Sequence, residues 1–497
     1  MAKLPTALFN VSQIKALECL AIQVQDVSGL ELMIRAGNAV FQQLRERWPD
    51  AVQIAIFCGA GNNAGDGYIV ATLALQAGLS VIVYSVIATE HLKGDALAAY
   101  QLYHEVLGRV ETFVPEPSVM AQMDVIVDAL LGTGLYKPVT GIMAQAIAFI
   151  NHTDSPVIAV DIPSGLHADT GCVMGCAVVA DCTVTFIGLK QGQFSGQAAD
   201  YCGSIVYDAL GVADAVFTDI PATICRVERL SLAPRQHYSH KGHYGHVLVI
   251  GGDQGYSGAV RLAGEAALRI GAGLVSIATH TAHAGMINLG RPELMCYGVE
   301  NPDQLLRLIT KASVVLVGPG LGLTAWAKDL FIAVINASHA VNPLNAKIPL
   351  VIDADALHFL ANARIKNPDW ILTPHPGEAA RLLHVSTSDI EHDRFAAVSA
   401  IQMRYDGIAV LKGSGTLIAS EIIAVANTGN PGMASGGMGD VLAGVIAGLL
   451  AQGLSPKEAA QQGVYLHGLA GDKAAQHTGE RGLLASDLLP YLSQLVA

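Results

Sequence analysis

Residues 427–440 carry Gly429, Pro431, Gly432, Gly436, Gly437 and Gly439 and end at Asp440, directly ahead of the small and apolar run 441–451. That composition constrains the chain to a glycine-laden loop feeding an apolar helix. Gly436, Gly437 and Gly439 leave backbone N–H groups bare, and the helix beginning near Asp440 adds its positive dipole end. The site therefore favours an anion such as a phosphate. Asp440 then stands where a carboxylate can take a proton from an attacking hydroxyl. The plainer reading makes Asp440 an ordinary N-cap. The glycines and proline packed around it favour phosphoryl chemistry.

A chain of 497 residues is too long for one ordinary core, so two domains, or three, are expected from length alone. With 52% hydrophobic and 14% charged residues it reads as well buried rather than disordered. The apolar runs are too short to span a bilayer, and Lys3, Lys15 and Glu18 interrupt the start where a signal peptide would need an apolar block. No membrane association is expected. A net charge of -13 argues against a nucleic-acid binder. The eight cysteines, mostly in apolar surroundings, suit reduced thiols in a cytoplasm. Cys172, Cys176 and Cys182 cluster in sequence but lack a fourth ligand for zinc.

Residues 11–48 read as two helices, with Ser28 capping the second. Residues 52–58 form a buried strand, followed by a glycine-rich turn at 59–67 and a helix from Tyr68, the opening of a nucleotide-binding βαβ unit. The strand at 80–86 ends without an acidic residue to hold a ribose, which weakens a dehydrogenase reading. Strands at 124–128 and 157–161 follow. In a doubly wound sheet the carboxyl ends of strands line one crevice, so Asn62, Asn63, Asp66, Asp128, Asp161 and Ser164 can converge. Asn63, Asp128 and Ser164 offer only hard oxygen ligands, suited to an alkali or alkaline-earth cation. The alternative is that Asp128 and Asp161 merely brace loops. Further strands are expected at 178–186 and 204–208. The pattern loosens over 211–236, which places a boundary near residue 225 and domains at 1–225 and 226–497.

His237, His240, His243 and His246 recur every three residues, but the intervening glycines make a helix unfavourable, so they belong to a loop. Strands at 247–250, 274–278, 314–317 and 350–352 alternate with glycine- and aspartate-bearing loops at 251–258, 318–322 and 353–357. His375 sits at a strand end between Pro374 and Pro376, rigid enough for ligand contact. Lys412 follows a strand at 408–411 and, with Gly413, Ser414, Gly415 and Thr416, makes a second phosphate cradle.

The order of these motifs resembles the bifunctional NAD(P)H-hydrate repair enzymes, in which an NAD(P)HX epimerase is fused to an ADP-dependent NAD(P)HX dehydratase. The resemblance covers nearly the whole chain. It rests on residues 61–67, 128–134 and 161–165 in the first half. In the second half it rests on residues 240–242, 318–322, 353–357, 373–378 and 436–440. It implies a Rossmann-like doubly wound α/β domain followed by a ribokinase-like α/β domain. By that resemblance, Asn62, Asn63, Ala64, Gly65 and Asp66, with Gly132, Thr133, Gly134, Leu135, Tyr136, Lys137 and Pro138, hold the hydrated dinucleotide. Asp161 stands at its nicotinamide end as the candidate base. Asn63, Asp128 and Ser164 bind potassium. In the dehydratase half, Ala259, Gly322 and His375 contact the hydrate. Lys412, Gly413, Ser414, Gly415, Thr416 and Gly439 hold ADP with Mg2+, and Asp440 acts at the hydrate's hydroxyl.

The implied reactions interconvert R- and S-NAD(P)HX and dehydrate the S form to NAD(P)H with release of AMP and phosphate. A cytoplasmic homo-oligomer is expected. Met438 and Ser435 depart from many ribokinase-like relatives, which carry a small or hydroxylated residue at the first position and Thr at the second. The competing readings are a small-molecule kinase of the ribokinase type and a non-catalytic nucleotide-binding first half.

Overall fold

Asn10 and Ser28 start the first two helices. Asn10 caps Val11–Gln25 in a reciprocal box with Gln13, and the Ser28 hydroxyl accepts from the Glu31 N–H at 3.1 Å at the head of Gly29–Arg47. The computed structural model describes residues 4–115, 123–338, 347–363 and 365–496. The chain divides into two compact units, Met1–Cys225 and Arg226–Ala497.

In the N-terminal unit seven strands form a wholly parallel sheet. From one edge they are Val110–Thr112, Ser80–Ser85, Gln53–Cys58, Val125–Ala129, Val157–Val160, Cys182–Phe186 and Ser204–Asp208. The central strands are buried on both faces and read as continuous apolar runs. Ile54 and Ile56 face one helical layer, while Ala55 and Phe57 face the other, where Phe57 packs on Tyr84, Phe113 and Phe149. The connections run to opposite sides on either side of the Gln53–Cys58 and Val125–Ala129 pair. That reversal opens a crevice at the strand carboxyl ends.

The elements differ from the residue pattern at several points. The helix after Gln53–Cys58 begins at Asn62, not Tyr68, with Gly61 as its N-cap. Gly65 and Gly67 are packing positions inside that helix: a Cβ would lie 2.5 Å from Met33 Sδ at the first and 2.6 Å from Ala129 Cβ at the second. The strand expected at 178–186 begins only at Cys182. The loosely patterned stretch holds a helix, Asp214–Asp219, and a strand, Ile224–Arg226, whose first residues pair with Ala7–Phe9.

In the C-terminal unit the strand order is Leu294–Gly298, Leu274–Thr279, His246–Ile250, Val314–Val317, Leu350–Ile352, Trp370–Leu372, Ile408–Leu411, Thr416–Ala419 and Ile423–Ala426. All are parallel up to Ile408–Leu411, and two antiparallel hairpins finish the run. The apolar helix Met438–Ala451 lies close on Ser257–Arg269 because its contact positions are glycines. A Cβ on Gly444 would sit 2.2 Å from the Ala263 carbonyl oxygen, and one on Gly448 2.3 Å from Ile270 Cγ2. The strands Leu294–Gly298 and Thr416–Ala419 are not legible in the residue pattern. His240 and His243 occupy an exposed turn with rings stacked at 3.8 Å. Among the described residues no helix is long and apolar enough to cross a membrane.

Candidate active sites

The crevice of the N-terminal unit holds a cavity of about 690 Å³. Asn62, Asn63 and Asp66 reach it from the first two turns of their helix, and Gly132, Thr133, Gly134, Leu135, Tyr136 and Lys137 from the loop after Val125–Ala129. Ala64 and Gly65 do not line it: their amides bond to the Gly61 carbonyl, and both residues are buried in the helix packing. Pro138 packs near Gly175, outside the lining.

Asp161 lies on the cavity wall in the left-handed region, with φ of 66°, a conformation that costs a non-glycine residue energy and recurs at functional sites. Its carboxylate pairs with the ammonium of Lys190, which also donates to Thr185 Oγ1 at 2.9 Å and to the Phe186 carbonyl at 3.1 Å. Lys190 is only 1% exposed, so the pair is shielded from solvent on the lysine side. The residue reading missed Lys190. Its one local signal is an isolated lysine directly after the largely apolar stretch 184–189.

Behind the loop, Asp128 and Ser164 are fully buried and bonded to each other: Ser164 Oγ donates to Asp128 Oδ1 at 2.6 Å and its N–H to Oδ2 at 2.8 Å. Burial pushes the Asp128 carboxyl up to about 6, against the lowering effect of the Ser164 and Leu130 hydrogen bonds. Ser164 Oγ also accepts from the Leu131 N–H at 2.8 Å. One residue further on, Gly132 abuts Asn63, where a Cβ would lie 3.4 Å from Oδ1. The three expected cation ligands therefore surround one loop. The Asn63 amide nitrogen is buried with no hydrogen-bond partner among the described residues, and Asp128 has no cationic side chain paired to it there.

In the C-terminal unit the site assembles beyond the carboxyl ends of the parallel strands. Gly437, with φ of 90°, is the N-cap of Met438–Ala451, so Asp440 is in the first turn and does not cap it. Lys412, at the end of Ile408–Leu411, donates to Asp353 Oδ1 at 2.8 Å and lies 3.7 Å from Glu378 Oε2. Gly439 closes over this pair: a Cβ there would sit 3.3 Å from Lys412 Nζ. Burial works against the Lys412 ammonium, but Asp353 and Glu378, with Asp440 beyond them, outweigh it and raise its pKa. The Asp440 carboxyl is pushed up to about 7, first by burial and then by Asp353, with Lys412 opposing. Glu378 is likewise raised, chiefly by burial.

His375 caps the helix Pro376–Leu383, accepting at Nδ1 from the Gly377 N–H at 3.0 Å. Burial and then Lys412 lower its pKa, so the ring is neutral near pH 7. Gly322, with φ of 72°, donates its N–H to Asp355 Oδ2 at 2.8 Å, and Ala259 faces Gly320 of the same loop. Gly413 and Ser414 form the exposed tip of the hairpin, and Thr416 Oγ1 closes it on the Gly413 carbonyl at 2.9 Å. Asp353, Asp355 and Glu378 lie in motifs visible in the sequence, but nothing in the residue pattern ties them to the site. The structure places them at its centre. Such a cluster, neutral amide donors and one ammonium among carboxyls, can bind phosphates and move a proton at a bound hydroxyl.

Two family models match the chain: "YjeF-related protein N-terminus" over residues 29–192 and "NAD(P)H-hydrate dehydratase" over residues 247–494. The bifunctional NAD(P)H-hydrate repair enzyme of Coxiella burnetii is 48% identical, over 99% of both chains. That of Escherichia coli K12 is 43% identical over 95% of this chain and 91% of its own. An ADP/ATP-dependent NAD(P)H-hydrate dehydratase from Bacillus subtilis, solved with ATP and Mg2+, is 30% identical over 53% of this chain and 93% of its own, with a TM-score of 0.46. With close relatives matched from end to end and both halves matching their families in order, the chain belongs to the bifunctional NAD(P)H-hydrate repair enzymes, an NAD(P)H-hydrate epimerase joined to an NAD(P)H-hydrate dehydratase.

Proposed function

We propose that the N-terminal cavity interconverts the R and S hydrates of NAD(P)H, with Asp161 as proton-transfer group. The C-terminal cluster dehydrates the S form at the expense of ADP, with Asp440 as base. Hydroxide is a poor leaving group. A phosphoryl group moved from ADP to the C6 hydroxyl turns it into phosphate, whose departure with a C5 proton restores NAD(P)H and leaves AMP. The observation that carries this reading is the position of Asp440: in the first turn, next to Lys412, and relieved of capping by Gly437. The bare amides of Gly437 and Gly439 and the helix dipole supply the anion hole.

The N-terminal donor set fits potassium. Asn63, Asp128 and Ser164 would hold it, and the buried Asp128 would gain the counter-charge it lacks among the described side chains. The ion supplies positive charge beside the loop that receives the dinucleotide. Among the described residues no three His, Cys, Asp or Glu side chains form a metal cage, so magnesium fits as a cation carried by the nucleotide's phosphates, with Asp353 and Asp355 the carboxylates available to it. The reading extends to a cytoplasmic homo-oligomer that engages neither membrane nor nucleic acid.

The test supplies both hydrate epimers with ADP and Mg2+ and follows the absorbance of restored NAD(P)H. Asp161→Asn is expected to consume the S form at the normal rate and leave about half of an equal mixture unrepaired, beyond the slow uncatalysed exchange. Full consumption by that variant would remove Asp161 from the mechanism. Phosphate transfer from ATP to a small alcohol, with no NAD(P)H formed, would favour the kinase reading. Replacing K+ by choline is expected to slow epimer exchange in the native chain and to make no difference in Asp128→Asn, which should already be slow. Equal rates in both salts for the native chain would discard the cation site.

A further inference from the structure

The helix Val11–Gln25 precedes the stretch matched by the N-terminal family model, residues 29–192, yet it forms part of the cavity wall. Lys15 and Glu18, one helical turn apart, line the cavity together with Asp66, Asp161 and Lys190. Asp161 is held by the Lys190 ammonium, Thr185 Oγ1 and the Phe186 N–H. The Glu18 carboxyl, by contrast, has no hydrogen-bond or salt-bridge partner among the described residues. Burial and then Asp161 raise its pKa, while Lys190 and Lys15 pull the other way. Asp66 is raised well above the ordinary carboxyl range by burial, then by Asp161 and Glu18. The cavity lining thus carries one salt-bridged carboxylate, Asp161, and two carboxyls raised by burial, Glu18 and Asp66.

Inverting a carbon that bears a hydroxyl beside a ring nitrogen calls for two proton transfers, one to the oxygen that leaves and one from the oxygen that arrives. We propose that Glu18 is a second catalytic residue of the epimerase, delivering a proton to the C6 oxygen on one face of the ring while Asp161 receives one on the other. This rests on the reading of the cavity as the epimerase site with Asp161 as proton acceptor. As Glu18 gives up its proton, the C6–O bond breaks with its electron pair leaving on water, and the N1 lone pair closes a C6=N1 bond. A water on the opposite face then forms the new C6–O bond, the C=N pair returns to N1, and Asp161 takes the released proton. One water leaves and one enters, nothing is oxidised or reduced, and the configuration inverts. The proton passes back from Asp161 to Glu18 through solvent or through Asp66, which also lines the cavity. The opposite epimer uses the same pair with the roles exchanged.

The full chain, supplied with the S hydrate in K+ buffer without ADP, is assayed for R hydrate by chromatography, above the uncatalysed background and in ¹⁸O-labelled water. Glu18→Gln is expected to lower kcat for interconversion roughly 100-fold or more, with Glu18→Asp recovering part of it. The ADP-dependent loss of S hydrate and the affinity of the cavity for the hydrate should change less than about threefold, a modest margin beside that catalytic effect. Native activity should fall as pH rises through the Glu18 titration, among Lys15, Asp66, Asp161 and Lys190, and that limb should vanish in Glu18→Gln. Each inversion should place one labelled oxygen at C6. Full exchange by Glu18→Gln with loss in Asp161→Asn would overturn the role of Glu18 and leave the cavity reading standing. Full exchange by both variants would overturn the cavity reading itself. A raised KM with unchanged kcat in Glu18→Gln would make Glu18 a binding group and refute its proton transfer.

Discussion

Asp440→Asn is expected to lower the ADP-dependent dehydration rate at saturating substrates by roughly 100- to 10,000-fold, the span usual for losing a positioned acid–base group. Affinity for ADP should change little, because the proposed anion hole uses the loop amides and the helix N-terminus and not this side chain. The raised carboxyl fixes the pH dependence. A base must be ionised, and burial with Asp353 pushes Asp440 up to about 7, so kcat in the native chain should drop as pH falls through that region. The variant's residual rate should be flat there.

Stability moves in the other direction. An acid whose pKa is raised on folding contributes stability that is present below its unfolded value, near 4, and is lost as pH climbs to about 7. Asn cannot ionise, so at pH 8 the variant should unfold at the same or a higher temperature than the native chain. Loss of activity together with a clear loss of thermal stability at pH 8 would mean that Asp440 is structural. Near-normal kcat would end its role as base.

The fold is largely legible in the sequence because parallel strands buried on both faces announce themselves as short apolar runs, and the loops at their carboxyl ends carry the polar residues. That is why Asp128, Ser164, His375, Lys412 and Asp440 can be read as site candidates from their positions after strands. What escapes such a reading is instructive in each case. The residue pattern starts the helix of Asn62 six residues late because Gly65 and Gly67 look like turn residues. They are glycines because Met33 and Ala129 leave no room for a Cβ, and that crowding is a tertiary fact. Glu18 comes from a helix far from the strand-end loops, and Lys190, although it closely follows the strand Cys182–Phe186, meets Asp161 only through the fold, so no local pattern ties either to it. Asp353 and Glu378 belong to recognisable motifs, but only folding brings Lys412 between them.

That lysine is the second position where a large effect is expected. Lys412→Met keeps the length of the side chain and removes the one ammonium bonded within a set of carboxyls formed by Asp353, Glu378 and Asp440. Its side chain is 18% exposed and that of Asp353 only 2%, so the pair is largely desolvated. Breaking one partner of a buried pair leaves an uncompensated charge and costs about 3–5 kcal/mol. Through the stability scale of a unit this size, that is a fall on the order of 10 °C in Tm at pH 8. With Lys412 gone, Glu378 and Asp440 lose the positive charge that opposes burial, and their midpoints move above the present value of about 7. Protonation then relieves the repulsion, so the deficit in Tm should shrink between pH 8 and pH 5.5. Dehydration should be lost at neutral pH for two separate reasons, a protonated base and a nucleotide site without its cation. Lys412→Arg should keep the stability better than the activity, because a guanidinium supplies the charge but not the compact ammonium that fits beneath Gly439. Thermal unfolding at the two pH values, ADP titration by calorimetry and epimer exchange as the internal control would read all of this out. An equal Tm deficit at pH 5.5 and pH 8 would show that Lys412 stabilises the unit by packing and not by charge.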